Sequence, residues 1–169
     1  MLFRSDMGVE NGWSNWLAKP GTYGPLNNIQ LTFNSTIAPV APRFNITSGA
    51  GVDRFTPGAA GTPTIPVVAP SFGLHSIQLG QLETDGIGGN CSNNSGQNPG
   101  PGCAERLTFC FTVGPLDTNF IYAYAFVIEN PNHSANEMPF IEFLMLDANN
   151  DTVGCAFQRY VADLSKPGQ

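Results

Sequence analysis

Charge is what this chain has least of. Only 12% of its residues are acidic or basic, and Lys19 and Lys166 are its sole lysines. Soluble domains carry about twice that share of charge. With a net charge of -6 and seven basic residues, the chain has no cationic surface with which to neutralise a row of phosphates or an anionic bilayer, so nucleic acid is not an expected partner. It also lacks any apolar run of about 18 residues, so membrane insertion is not expected. No basic stretch followed by an apolar one opens the chain, and an export signal is expected on a parent protein instead. Helical periodicity and internal repeats of 20 to 50 residues are absent too, which argues against bundles, propellers and solenoids.

The motifs of common enzymes are missing as well. There is no Gly-x-Ser-x-Gly elbow, no phosphate-cradling Gly-x-x-x-x-Gly-Lys, no Gly-x-Gly-x-x-Gly and no His-Glu-x-x-His. His75 and His133 are the only imidazoles, and neither has a neighbouring nucleophile to activate. Glu105, Glu129, Glu137 and Glu142 supply carboxylates for a glycosidase-like pair, and whether any two face each other at the required separation is not set by the sequence. The chain is therefore read as non-catalytic.

What it does have is turn formers, 19 Gly and 14 Pro, set between short stretches of alternating apolar residues. That combination predicts an all-β fold. Expected strands are Trp13 to Ala18, ended by a Lys19-Pro20-Gly21 turn; Ile29 to Phe33; Arg43 to Thr47, with Phe44 and Ile46 inward; and Ser76 to Gln81. Ser48 to Phe72 is expected to be a long excursion with at most a short strand at Ile65 to Val68. Glu105 to Val113 has one apolar face. Phe120 to Ile128 and Phe140 to Leu146 are apolar on both, so each is expected to run centrally with both faces covered and Phe120, Tyr122, Tyr124 and Phe126 in the core. The turn Asp147 to Asp151 leads into a last strand, Val153 to Val161. About eight such strands predict an antiparallel β-sandwich of jelly-roll type. Residues 7–169 are read as one domain and residues 1–6 as an adapter-derived, non-native leader.

Four cysteines, Cys91, Cys103, Cys110 and Cys155, allow three pairings. An even count in a chain rich in Asn, Gly and Pro reads as extracellular disulfides, whereas zinc wants closer Cys or His pairs than spacings of 12, 7 and 45 provide. The preferred pairs are Cys91 with Cys103, closing the loop Ser92 to Gly102, and Cys110 with Cys155 between two strands.

Trp13, Trp16 and Tyr23 are candidate ligand-binding aromatics, since a flat ring packs on sugar C–H groups while Asn and Gln satisfy hydroxyls. Core packing is the competing role for all three. Asp147, Asn149 and Asp151 have the alternating spacing of an oxygen-lined cation loop, but Thr152 stands where an EF-hand needs Gly, and a plain turn accounts for them as well.

The order of several motifs is recognisable. Val9-Glu10-Asn11-Gly12-Trp13, Arg43 to Gly49 (RFNITSG), Ser76 to Gly80 (SIQLG), Ala104-Glu105-Arg106-Leu107, Phe120 to Ala125 (FIYAYA), Asn130-Pro131-Asn132-His133 and Met138-Pro139-Phe140 follow one another up to the Leu146 to Asn149 turn. Together, over residues 7–164, they resemble a jelly-roll module of secreted surface and gliding-motility-associated proteins of the Bacteroidota, exported by the type IX system. The resemblance implies likeness to carbohydrate-binding jelly rolls, a cell-surface or extracellular location, and a closing pair of strands with a Gly-His-Phe-Gly-Tyr-like segment that this chain does not contain. A module truncated there leaves an open sheet edge through which it can self-associate. By the same resemblance Glu10 occupies the acidic position that binds structural Ca2+ in related jelly rolls, with Val9 where Phe is usual.

These readings converge on a non-catalytic extracellular adhesion, binding or spacer module whose partner is a glycan or a surface protein. The alternative is a carbohydrate-binding module of a secreted glycoside-active enzyme.

Overall fold

The computed structural model describes residues 9–14, 16–23, 30–35, 43–53, 56, 58, 64–80, 102–117, 120–128 and 138–162. Among them the chain is all-β with antiparallel sheets and no α-helix, only a 3-10 turn at Val9–Asn11. It divides into two compact units, Met1–Ala125 and Phe126–Gln169.

Among the described residues the first unit holds five strands. β1 (Trp16–Tyr23), β2 (Leu31–Phe33) and β5 (Gly102–Phe109) form a sheet in the order β2-β1-β5, and β3 (Phe44–Ser48) pairs with β4 (His75–Leu79). Ala18 and Ala104 are buried, as are Val9 and Phe44. β1 runs straight through Lys19-Pro20-Gly21, the expected turn. The reason lies in which way Pro20 faces. Its carbonyl accepts from the Asn34 N–H at 3.0 Å on the β2 side, and a strand residue turns its N and its carbonyl to the same side, so the missing N–H interrupts no bond to β5.

Gly21 is required by close approach. A Cβ there would run into the Thr32 carbonyl oxygen and the Phe33 ring, whose strand partner Gly21 is. Phe33 thus lies over the glycine, and Arg106 of β5 reaches across β1 to place its guanidinium 4.0 Å from the Phe33 ring centroid. Arg43, just before β3, ties the two sheets of this unit together. It bonds the Glu105 carboxylate through Nε at 2.6 Å and donates through Nη2 to the carbonyls of Gly21 at 2.9 Å and Ala104 at 2.6 Å.

In the expected excursion after β3 only an isolated bridge, Val52 with Pro66, forms among the described residues. Thr47 Oγ1 secures that stretch by donating toward the Val67 and Ser76 carbonyls at 3.4 and 3.3 Å.

The second unit contains the hairpin of β6 (Phe140–Leu146) and β7 (Thr152–Val161), with a register irregularity between Leu144 and Leu146. One face carries the Glu142–Arg159 ion pair at 3.1 Å, with Arg159 also 4.1 Å above the Phe140 ring. The other gathers Phe126, Phe143 and Tyr160, their centroids 4.8 and 6.4 Å from the tyrosine.

Two expectations are corrected. Phe120 to Ile128 enters no ladder, and Phe120, Tyr122 and Tyr124 are exposed rather than core. Apolar periodicity shows which faces seek cover, but not which strand supplies the hydrogen bonds. Cys110 and Cys155 are free, exposed thiols and not a bridge. Cys110 lies just past the end of β5, which pairs with β1, and Cys155 lies in β7, which pairs with β6. Cys103 is disulfide-bonded; Cys91 lies outside the described residues, as do Glu129, Glu137 and His133.

Candidate functional site

Glu10 sits in the 3-10 turn that precedes β1. Gly12, with φ +71°, closes that turn through its N–H to the Val9 carbonyl at 2.9 Å. The Glu10 carboxylate reaches the entrance of β4, where Oε1 accepts from the N–H groups of Leu74 at 2.7 Å and His75 at 3.1 Å and Oε2 meets His75 Nδ1 at 2.8 Å. An ionised carboxylate has no proton to give, so Nδ1 is the protonated nitrogen. The His75 ring bond first, then the Leu74 N–H, holds the Glu10 carboxyl below its ordinary pKa. Gly73 makes the approach feasible. Its φ is +124°, and a Cβ would strike Glu10 Oε1. Both oxygens of this expected Ca2+ ligand therefore face N–H donors, and no group of three or more His, Cys, Asp or Glu converges among the described residues.

At the β6–β7 turn, Asp147 Oδ1 accepts from the N–H groups of Asn149 at 2.8 Å and Asp151 at 2.9 Å, and the Asp147 N–H bonds the Asp151 carbonyl at 2.9 Å. Asn150 takes the left-handed conformation, φ 66°. In this geometry Asp147 staples its own turn.

The three expected ligand-binding aromatics are not brought together. Trp13 packs edge-on against buried Phe44, centroids 6.3 Å apart at 82°. Trp16 and Tyr23 are seven residues apart on one strand and so lie on opposite faces. Trp16 instead begins a row of rings that periodicity had assigned in part to the core. Neighbouring centroids are 4.9 Å (Trp16–Phe109), 5.9 Å (Phe109–Phe111), 5.0 Å (Phe111–Phe120), 5.5 Å (Phe120–Tyr122) and 5.6 Å (Tyr122–Tyr124). The middle pair is parallel to within 5°. The last three rings are 37%, 41% and 42% exposed. The turn at 114–117 brings the two halves of the row together, with Asp117 Oδ2 accepting from the Gly114 N–H at 2.6 Å. At the head of the row the buried Trp16 Nε1 has no hydrogen-bond partner among the described residues.

Sequence reasoning passed over the basic side chains. Of the four described, Arg43 is paired with Glu105 and Arg159 with Glu142, which also occupies the two described members of the expected carboxylate set. Lys19 and Arg106 form no ion pair among the described residues and stand directly opposite each other across β1 and β5. Only the register could reveal this, because the two are 87 positions apart.

No protein-family model matches the chain, and neither a curated protein nor a solved structure does.

Proposed function

We propose that this chain is a non-catalytic, extracellular binding module of jelly-roll type from a larger secreted surface protein, of the Bacteroidota kind that its motif order resembles. The observation that carries the reading is the half-exposed aromatic row from Trp16 to Tyr124. A monomer seldom leaves a continuous apolar band open to water unless something docks on it. Phe111 and Phe120 stack in parallel and cover each other's faces, so the ring surface offered to a partner is that of the exposed Tyr122 and Tyr124 at the end of the row. Such a band suits a partner's C–H surface. The disulfide at Cys103 supports an oxidising location.

A carbohydrate-binding module of a glycoside-active enzyme is the second reading, and the aromatic row favours it over a pure spacer. The row, not Trp13 with Tyr23, is then the sugar contact.

The test is a glycan array with the whole chain, run beside a Tyr122→Ser/Tyr124→Ser variant. Saturable binding that weakens at least about tenfold in the variant, with an unchanged circular dichroism spectrum, is expected from the loss of two stacking rings. Binding to no glycan, or binding unchanged in the variant, overturns the carbohydrate reading, and new reducing ends released from a bound glycan overturn the non-catalytic one.

A further inference from the structure

Lys19 and Arg106 are cross-strand partners in an antiparallel ladder, which sets their Cβ atoms about 4.5–5.5 Å apart on one face of the sheet. Like charges so placed repel and destabilise the pair. The arrangement is the more notable because the chain has a net charge of -6 and gives each of its other described cations a glutamate. The face they share bears Leu17, Tyr23, Leu31, Phe33 and Thr108 beside the small Gly21 and Ala104, with no carboxylate among its described residues. Arg106 is held there by Phe33, 4.0 Å beneath it. A guanidinium resting on a ring is already confined, so little freedom is lost when it grips an anion.

Resting on the binding-module reading, we infer that Lys19 and Arg106 form a site for the carboxylate groups of an acidic polysaccharide. The guanidinium fork matches a carboxylate, and the ammonium adds a second charge to the same group. This face is opposite the one that bears Trp16, three positions from Lys19 on β1, so the site is separate from the aromatic row; Leu31 offers apolar surface to the sugar ring there. Two adjacent cations satisfy one anion, as in a polymer with a single charge per sugar. Nucleic acid asks for an extended cationic track, which these residues do not make.

Affinity electrophoresis of the full chain in native gels tests this, with polygalacturonate, its methyl ester or a single-stranded oligothymidylate cast into the gel. Polygalacturonate retards the chain, the uncharged ester does not, and Lys19→Gln and Arg106→Gln each weaken retention about tenfold, the loss expected for one charge-assisted contact. Arg106→Lys recovers part of it. Lys19→Gln leaves the Arg106–Phe33 stack intact, so its result stands even if Arg106→Gln perturbs folding. Absence of retardation, equal retardation by the ester, retention unchanged in Lys19→Gln, or tighter binding to the oligonucleotide each overturns the assignment. A glycan-array signal lost in the Tyr122/Tyr124 variant but kept in Lys19→Gln would overturn this site and leave the broader reading standing.

Discussion

Arg43 and Glu105 lie 62 positions apart in sequence and 2.6 Å apart in space, with only 12% and 14% of their side chains exposed. Arg43 also bonds the carbonyls of Gly21 and Ala104, which face each other across β1 and β5. One guanidinium thus joins the start of β3 to both strands of the neighbouring ladder.

Removing Arg43 strands a nearly buried carboxylate together with two carbonyl acceptors. Arg43→Met is expected to lower stability by about 2–3 kcal/mol, under the full cost of breaking a wholly buried pair. Glu105→Gln keeps an acceptor and costs about 1 kcal/mol. Urea unfolding of both variants checks the order; equal losses would contradict it.

At Gly73 a side chain meets two obstacles, a φ of +124° and the Glu10 carboxylate. Gly73→Ala is expected to destabilise by about 1–3 kcal/mol. In a Glu10→Ala background the steric part should vanish while the backbone part stays. A double-mutant cycle by thermal or urea unfolding measures the difference.

Because the folded chain holds the Glu10 carboxyl below its ordinary pKa, the ionised form stabilises the fold. That contribution is complete above the unfolded-state value, near 4.5, and is lost as pH falls through the lower folded value. Between pH 7 and pH 3 the native chain should lose more stability than Glu10→Gln, which has no proton to take up. Parallel curves would show that the contact with His75 contributes nothing.

Cys110 and Cys155 are exposed thiols and Cys103 is bonded. A thiol-reactive chromophore is therefore expected to count two free cysteines in the native, unreduced chain, one fewer in Cys110→Ser or in Cys155→Ser, and four after reduction and denaturation. A native count of zero would restore the Cys110–Cys155 bridge.

Much of the local structure was legible beforehand. Alternation at 43–47 marks β3, the two-faced apolar run at 140–146 marks β6, and the Asx chemistry of Asp147 marks the turn between β6 and β7. Pro20 misled, since a proline's effect depends on whether its peptide faces a ladder partner. Phe120 to Tyr124 misled for a related reason, as large aromatics are buried only where another layer reaches them.

What the residues determined by themselves was strand character, turn placement and the scarcity of charge, each set by neighbours two to four positions away. Tertiary structure alone decided which distant groups meet: Glu10 with His75, Arg43 with Glu105, Arg106 on Phe33, and Lys19 opposite Arg106. Such meetings depend on strand order and register, and a shift of one residue in its strand would turn Lys19, Phe33, Glu105 or Arg106 to the other face.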